Sequence, residues 1–276
     1  MPGAELPGAE LEAGPSLGDL ALLKHHCAES GRIARRYFGD DPQVWMKEGD
    51  SPVSEADYAV DTYLKRELLL ARPDYGWLSE ETEDSPEREG RARVFVVDPI
   101  DGTRGFLAGD RRWCVSAAVV ENNRPTCGVL EVPMRDETVF ACAGEGAWLG
   151  ETRLDAVATR EHRPLRIAGP KVFMRLARDV FDHSVEAAPF VPSLAYRIAL
   201  VAVGRIDVAF ARASARDWDL AAADVIAHEA GVVLRGLEGE VLTYNCPSTR
   251  HGVLVACRKE RLDEMLAVAR EVLARA

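Results

Sequence analysis

Two carboxylates and a hydroxyl are crowded at the end of one apolar run. The segment VFVVDPIDGTRGFLAGD, residues 94–110, starts with four apolar residues, stops at Asp98, and then presents Asp101 and Thr103. An apolar run closed by Pro and Gly is typical of a buried strand that ends at a functional edge. Because divalent metals such as Mg²⁺ bind through oxygen ligands, this strand end suits a hard metal ion and a phosphate group.

Two further acids belong to the same prediction, although they are distant in the chain. Glu80 follows a short strand candidate, and Asp219 lies at the start of a helix predicted over 218–231. Octahedral Mg²⁺ takes a few carboxylates, with water and phosphate completing its shell. Two such ions ~3.5–4 Å apart can clamp the attacking and leaving oxygens of a phosphoryl transfer. Asp98 can bridge them, and the Ile100 carbonyl can add a neutral ligand.

Thr103 and the glycine before it supply the remaining chemistry. The Thr103 hydroxyl, together with Glu80, can orient and deprotonate the attacking water. The backbone N–H groups of Gly102 and Thr103 are predicted to open a short helix, and such a start lets a phosphate approach closely. Arg104 follows directly. We therefore expect this turn to bind the phosphate.

Each acid also has an ordinary structural interpretation. Asp98 stands in an Asp-Pro pair that is common in turns, and Asp219 is well placed as an N-cap. Glu80 begins an acidic stretch that is typical of a solvated loop. The combination favours the metal site, because Asp98, Asp101 and Thr103 fall within six residues and two more acids lie at element edges.

Composition excludes several classes of function. The chain has 276 residues, a formal net charge of −11 and a pI near 5.1, and it shows no basic patch, so nucleic-acid binding is not expected. None of the six cysteines forms a CxxC pair, which favours a reducing cytoplasm.

The N-terminus lacks a signal-peptide pattern, and no apolar stretch reaches the ~20 residues that span a bilayer. We expect a cytoplasmic protein without membrane contact.

The elements that position these residues alternate between helix and strand. The segment PGAEL occurs twice at the start, which predicts a disordered leader over residues 1–15. A single domain is expected over 16–276, with a metal-binding half to about residue 150 and an α/β half over 151–276. In the first half, helices are predicted over 16–37 and 51–72, with a polar loop between them over 39–50. An antiparallel meander is predicted over 113–149. Layered α/β packing follows.

These motifs resemble the signature of the inositol monophosphatase superfamily. The matching segments are DPIDGT at 98–103, the pair Glu80 and Glu81, WDLAAAD at 218–224 and KEGDSPVSEAD at 47–57. The resemblance covers most of the chain from about residue 20 onward. It implies a Mg²⁺-dependent, lithium-sensitive phosphomonoesterase with a layered αβαβα sandwich fold, commonly assembled as a homodimer.

Residue by residue, the resemblance also implies a site. The implied ligands of two or three Mg²⁺ ions are Glu80, Asp98, the Ile100 carbonyl, Asp101 and Asp219. Glu80 and Thr103 would position the nucleophilic water, with Asp57 in an outer or third-metal shell. Gly102 and Thr103 would hold the phosphate, and Lys47, in the family's lysine loop, is assigned to the substrate. The implied mechanism is direct in-line attack by water, without a phosphoenzyme.

Two positions bear on which phosphate ester is bound. The DGT sequence is followed by Arg104, Gly105 and Phe106, where inositol phosphatases usually have an asparagine in DGTxNF. Arg212 lies seven residues before Asp219, where those enzymes carry a glutamate. An arginine pairs with a carboxylate or phosphate rather than with a neutral polyol. The preferred prediction is therefore a 3′(2′),5′-bisphosphate nucleotidase that acts on adenosine 3′,5′-bisphosphate.

Three alternatives stay open. Arg212 can instead form a structural ion pair with one of the many acids. The enzyme can be an inositol-1-monophosphatase or a histidinol-phosphate phosphatase. A protein on the same fold can also bind a metal or phosphometabolite without catalysis, but it would be expected to lack a ligand or the threonine, and all of these residues are present.

Overall fold

A computed structural model describes residues 15–47, 51–156, 164–180 and 185–275. The predicted leader lies outside these residues, except that Pro15 begins the first helix. The helices are α1 (Pro15–Tyr37), α2 (Glu55–Ala71), α3 (Thr103–Leu107), α4 (Lys171–Val180), α5 (Leu194–Ala202), α6 (Asp217–Glu229) and α7 (Leu262–Ala274). None of these described helices combines the length and the apolarity that a membrane crossing requires.

The strands form a hairpin and two larger sheets. They are β1 (Val44–Lys47), β2 (Ser51–Ser54), β3 (Gly76–Ser79), β4 (Arg93–Asp101), β5 (Cys114–Glu121), β6 (Arg124–Val132), β7 (Glu137–Cys142), β8 (Gly146–Leu149), β9 (Thr152–Arg153), β10 (Leu165–Ala168), β11 (Val185–Ala187), β12 (Val208–Ala211), β13 (Val232–Gly236) and β14 (Leu254–Arg258). Short 3₁₀ turns occupy Pro86–Gly90, Pro133–Arg135 and Lys259–Arg261.

The seven-stranded sheet follows the chain in the order β3-β4-β5-β6-β7-β8-β9. Only β3 and β4 run parallel, and the other neighbours are antiparallel, so the predicted meander is confirmed. Strand β4 is apolar on both faces. Phe95 and Val97 join the core beneath α1 and α2, whereas Val94 and Val96 join the core around α5 and α6. Side chains that alternate along a strand thereby bind one helical layer to each face of the sheet.

The second sheet has the order β11-β10-β12-β14-β13. Its inner face, which includes Ala209 and Ala256, belongs to the same core as α5 and α6. Its outer face carries Val208 and Phe210, which pack in a third core with Met265 of α7 and with α4. Two helices thus lie between the sheets and two on each outer side, which is the predicted αβαβα layering.

Helix α6 lies unusually close to the large sheet because small residues face each other. A Cβ added to Gly128 of β6 would lie 2.7 Å from the Cα of Ala222. The alanines in WDLAAAD are buried, and they leave room for this approach. The close packing fixes the height of the first turn of α6, where Asp219 stands, above the strands.

The structure corrects one part of the predicted first half. Residues 44–47 and 51–54 pair as an antiparallel hairpin, where a polar loop and the start of a helix had been predicted. The second helix begins at Glu55, since Ser54 caps it: the Ser54 N–H and hydroxyl both donate to Asp57. The helical periodicity that carried the prediction begins only after this cap. Residues 48–50, which belong to the predicted loop, lie outside the described residues.

Candidate active site

Three carboxylates converge at one edge of the large sheet. Candidate ligand atoms of Glu80, Asp98 and Asp219 all lie within 4.8 Å of one another. Because β3 and β4 are parallel, with Ser79 paired to Val97, Glu80 and Asp98 follow side by side at the same end of the two strands. Asp98 still pairs with Ser116 of β5, and β4 continues to Asp101. The N–H of Glu80 donates to the carbonyl of Val97 at 3.2 Å. Asp219 reaches this edge from the first turn of α6.

Asp101, the fourth predicted acid, lines the same cavity, but its carboxylate accepts hydrogen bonds from the start of α5. The β4–β5 register shifts between Asp98 and Asp101, which is a bulge that lets both acids face the site. The carboxylate of Asp101 accepts hydrogen bonds from the Leu194 N–H at 3.2 Å, from the Ala195 N–H at 2.7 Å and from the Ser193 hydroxyl. Carboxylate oxygens have further lone pairs, so its assignment as a metal ligand stays a prediction.

Burial and mutual repulsion make this cluster reluctant to ionise. The pKa of Asp98 is raised well above its usual value, first by burial and then by Glu80, Asp101 and Asp219. Burial and Asp101 also raise the pKa of Asp219, against a hydrogen bond from the Arg216 N–H. Burial raises the pKa of Asp101 to about 6 although three hydrogen bonds favour its charged form. A bound cation would relieve this repulsion.

The donor set fits a hard divalent cation. Glu80, Asp98 and Asp219 bring carboxylate oxygens together, and Asp101 lines the same cavity. The Ile100 carbonyl oxygen lies 3.0 Å from the Thr103 hydroxyl, and its assignment as a ligand stays a prediction. No thiol or imidazole belongs to the cluster that the described residues form, which is the chemistry that Mg²⁺ prefers. These three carboxylates are therefore the groups that would hold the ion.

Thr103 connects the strand end to α2. Its hydroxyl lies 3.2 Å from Asp57 Oδ1 and 3.0 Å from the Ile100 carbonyl oxygen, and its single proton can be donated to either. Asp57 is 1% exposed and is held by Ser54. Burial raises the pKa of Asp57 to about 6, against these hydrogen bonds. The structure thus joins Asp57 and Thr103, which are 46 residues apart, as one hydrogen-bonded pair.

Lys47 contacts two acids of the site. Its ammonium lies 2.8 Å from Glu80 Oε1 and 2.8 Å from Glu81 Oε1. Burial alone would lower the pKa of Lys47, but the two glutamates outweigh it and raise the pKa. Burial raises the pKa of Glu81 to about 7, and Lys47 opposes that shift. The prediction that Lys47 contacts substrate remains open. Glu81 was not predicted as a site residue, although it belongs to the Glu80 and Glu81 pair that matches the family signature.

A cavity of about 570 Å³ extends from the acids. Its basic lining residues are Arg104 and Arg212, which are both exposed. Gly102 forms part of the wall with φ +99°, and a Cβ there would lie 2.9 Å from the backbone nitrogen of Ser193. Only glycine lets the turn and the start of α5 approach so closely. The cavity therefore joins the acids, the turn that was predicted to bind phosphate and both predicted arginines.

Sequence reasoning also missed Ser193, which supports the site, and Phe190, which lines the cavity. Ser193 caps α5 by accepting from the Tyr196 N–H at 3.0 Å, and it also donates to Asp101. A serine before a helix is a recognisable cap, but the sequence does not show which acid it will meet. Phe190 lines the cavity from the segment before α5 and has no local sequence signal for that position.

Comparison with known proteins decides the family. Residues 20–274 match the model described as the Inositol monophosphatase family. The chain belongs to this family. Inositol monophosphatase family members are phosphatases that use divalent metal ions, which agrees with the acid cluster. The extragenic suppressor protein suhB from Bartonella henselae superposes with a TM-score of 0.77 at 26% identity, over 91% of this chain and 98% of that one. The predicted family and fold are confirmed.

The curated relatives carry different names. A Streptomyces griseus protein named glucose-1-phosphate thymidylyltransferase is 34% identical over 226 residues, 79% of this chain and 85% of its own. A 3′(2′),5′-bisphosphate nucleotidase CysQ of Aggregatibacter actinomycetemcomitans is 28% identical over 225 residues, 79% and 84% of the two chains. The histidinol-phosphatase of Mycobacterium tuberculosis is 31% identical over 234 residues, 80% and 88%. The family establishes a phosphatase, and these names leave its substrate to be argued from the cavity.

Proposed function

We propose that this protein is a Mg²⁺-dependent phosphomonoesterase whose preferred substrate is a 3′(2′),5′-bisphosphate nucleotide, with adenosine 3′,5′-bisphosphate as the test compound. The observation that carries the proposal is the presence of Arg104 and Arg212 in the same cavity as the acid cluster. The proposal includes two or three Mg²⁺ ions, inhibition by Li⁺ and a homodimer, as the family resemblance implies.

The second phosphate distinguishes this substrate from the alternatives. One phosphate would lie at Glu80, Asp98 and Asp219 with a cation between them. The other would need a fixed positive charge, and the guanidinium of Arg212 matches a phosphate in both charge and geometry. An inositol ring offers only hydroxyls, which an exposed arginine recognises poorly.

The chain's own residues would orient the water and move its proton. Bound Mg²⁺ supplies Lewis-acid chemistry, which polarises the phosphate and lowers the pKa of water. The Thr103 hydroxyl has one proton, which can be donated to Asp57 or to the Ile100 carbonyl, and in either case an oxygen lone pair can accept a hydrogen bond from the water. Glu80 accepts a proton from the water as the new P–O bond forms and the ester P–O bond breaks, and the departing ester oxygen takes up a proton from solvent to leave as the nucleoside alcohol. The N–H groups of Gly102 and Thr103 hold the phosphate oxygens meanwhile.

The direct test compares three esters. Adenosine 3′,5′-bisphosphate, inositol 1-phosphate and histidinol phosphate are assayed for phosphate release with Mg²⁺, and kcat/KM is measured for each. The bisphosphate is expected to be the best substrate by about tenfold or more, which corresponds to about 1.4 kcal/mol. A preference for either monophosphate would refute the nucleotidase.

Arg212→Ala tests the residue that carries the proposal. It should raise the KM for the bisphosphate by roughly 10-fold or more, because a charge-assisted hydrogen bond is worth about 1.5–3 kcal/mol. The KM for adenosine 3′-monophosphate should change little. Arg66→Ala is the matched control, since Arg66 is exposed, pairs with its neighbour Glu67 and lies outside the cavity lining. Equal effects of Arg212→Ala on both nucleotides would contradict the role of Arg212.

A further inference from the structure

Phe190 is a large aromatic residue that stands open to the active-site cavity. Phe190 is 57% exposed, whereas aromatic rings are usually buried against other side chains in a folded protein. The ring lines the same cavity as Asp98 and Arg212. An exposed apolar surface inside a polar cavity is a surface that a ligand can cover.

The segment that carries Phe190 is anchored on both sides. The N–H of Ala188 donates to the Ile167 carbonyl of β10 at 2.8 Å. On the other side, the buried Arg197 donates from Nη1 to the Val191 carbonyl at 3.3 Å. Because the backbone is fixed before and after it, Phe190 is presented to the cavity with little loss of backbone freedom on binding.

Two prolines stiffen the same segment. Pro189 and Pro192 flank the Phe-Val pair, and each proline ring restricts the backbone φ angle. Pro192 itself lines the cavity and packs against the turn that binds phosphate: a Cβ added to Gly105 would lie 2.5 Å from Pro192 Cγ. Directly after Pro192, Ser193 donates to Asp101. Phe190 therefore lies only three residues before Ser193, whose hydrogen bond to Asp101 fixes this segment against the acids of the site.

We propose that Phe190 determines specificity by stacking on the heterocyclic base of the nucleotide, so that the enzyme requires a planar base as well as two phosphates. This inference rests on the proposed nucleotidase function. The cavity then has three distinct walls: the acids for the scissile phosphate, Arg212 for the second phosphate and Phe190 with Pro192 for the base. A purine offers a broad π-face that an inositol ring lacks, and aromatic side chains stack on any base with little regard to its identity.

The test uses two substrates that differ only in the base. Adenosine 3′,5′-bisphosphate is compared with 1,4-anhydroribitol 3,5-bisphosphate, which keeps both phosphates and replaces the base by hydrogen. Wild type, Phe190→Ala, Phe190→Leu and Phe190→Trp are assayed with Mg²⁺ for KM and kcat. Leu273→Ala is a control, because Leu273 is exposed at the end of α7 and lies outside the cavity lining.

Phe190→Ala should raise the KM for the adenosine compound roughly 5- to 100-fold, the range that stacking on one base supports. The KM for the base-free compound and both kcat values should change less than about twofold, because the ring touches no reacting atom. Phe190→Trp should restore the adenosine KM, and Phe190→Leu, which keeps apolar bulk without a π-face, should restore it only in part.

The outcomes separate the two proposals. If wild type hydrolyses the adenosine compound and Phe190→Ala raises both KM values equally, stacking is overturned and the nucleotidase function stands. Full rescue by Phe190→Leu also overturns stacking, since bulk alone would then suffice. If wild type does not hydrolyse adenosine 3′,5′-bisphosphate, the proposed function is overturned and the role of Phe190 falls with it.

Discussion

At the scale of single residues, the acids of the site repel one another, and this repulsion adds to burial in disfavouring their charged forms. Asp98 is 1% exposed and faces other carboxylates, so its charged form is disfavoured by burial first and by Glu80, Asp101 and Asp219 next. Such a cluster weakens the folded state at neutral pH unless a cation offsets its charge. The residues that serve function here are therefore expected to oppose stability in the metal-free protein.

Asp98→Asn is expected to stabilise the metal-free protein at neutral pH and to lower kcat/KM by more than ~100-fold. The pKa of Asp98 is raised in the folded state, so the folded protein binds its proton more readily than the unfolded chain does. The stability that this proton contributes is present below about pH 4 and is lost as pH rises through the folded pKa. Asparagine keeps an acceptor for the Ile100 N–H and carries no charge.

Urea unfolding of both proteins in EDTA, from about pH 5 to about pH 8, measures this effect. The stability of Asp98→Asn relative to wild type should increase with pH, and added Mg²⁺ should stabilise mainly the wild type. A difference that stays constant with pH, or equal stabilisation of both proteins by Mg²⁺, would contradict the interpretation of the cluster.

Thr103 provides a second prediction at this scale. Thr103→Val removes the hydroxyl that bonds to Asp57 and keeps the shape of the side chain, so kcat should fall roughly 10²- to 10⁴-fold. Thr103→Ser keeps the hydroxyl and should retain most of the activity. Steady-state kinetics at saturating Mg²⁺ measure both. If serine were as damaging as valine, shape rather than the hydroxyl would be what matters at this position.

At the scale of elements, the turn between β4 and α3 packs directly against the start of α5, and this close contact requires glycine. Gly102 adopts φ +99°, and its missing Cβ leaves space for the backbone nitrogen of Ser193. That contact lets Ser193, Leu194 and Ala195 donate to Asp101. The turn therefore positions an acid and a helix start at once.

Gly102→Ala should lower the free energy of unfolding by more than the ~1–2 kcal/mol that a left-handed alanine costs, because the added Cβ also clashes. Gly109→Ala is the matched control: Gly109 has φ +74°, but nothing lies within 4 Å of the point that an alanine Cβ would occupy there. Chemical denaturation gives both values, and phosphate release should fall only in Gly102→Ala. Equal destabilisation of the two variants would mean that the positive φ angle alone, and not the close contact with Ser193, explains why position 102 requires glycine.

At the scale of the whole molecule, α6 lies between the two sheets and carries Asp219 to the edge of one of them. Its buried alanines pack against Gly128 of β6, and its C-terminal neighbour, β13, belongs to the other sheet. The position of Asp219 relative to Glu80 and Asp98 thus depends on how closely the layers pack, not on the sequence near any one of these acids.

Gly128→Ala should displace α6 and thereby raise the Mg²⁺ concentration needed for half-maximal activity. The added Cβ would lie 2.7 Å from Ala222 Cα, and overpacking of this kind costs about 1–3 kcal/mol of stability. Gly90→Ala, where nothing lies within 4 Å, is the control and should behave as wild type. Mg²⁺ titration of activity and thermal unfolding measure both effects. An unchanged Mg²⁺ requirement in a destabilised Gly128→Ala would show that Asp219 does not follow the packing of α6.

The sequence by itself determined the family, the layered α/β fold and which acids are candidates for the site. These features are local: an apolar run leads into the DPIDGT motif at Asp98, and Asp219 stands in the first turn of an alanine-rich helix. The strand itself continues to Asp101, past the end that was predicted at Asp98. Periodicity, turn residues and caps are encoded over a few neighbours, so they can be interpreted without a structure.

Only the tertiary structure decided which distant groups meet. Lys47 contacts Glu80 and Glu81, Asp101 is bound by the start of α5, and Phe190 stands in the cavity wall. These contacts join residues 33 to 94 positions apart, for example Lys47 with Glu80 and Asp101 with Ala195. They depend on strand register, on the close approach that glycines permit and on the packing of whole layers, and no short stretch of sequence encodes these.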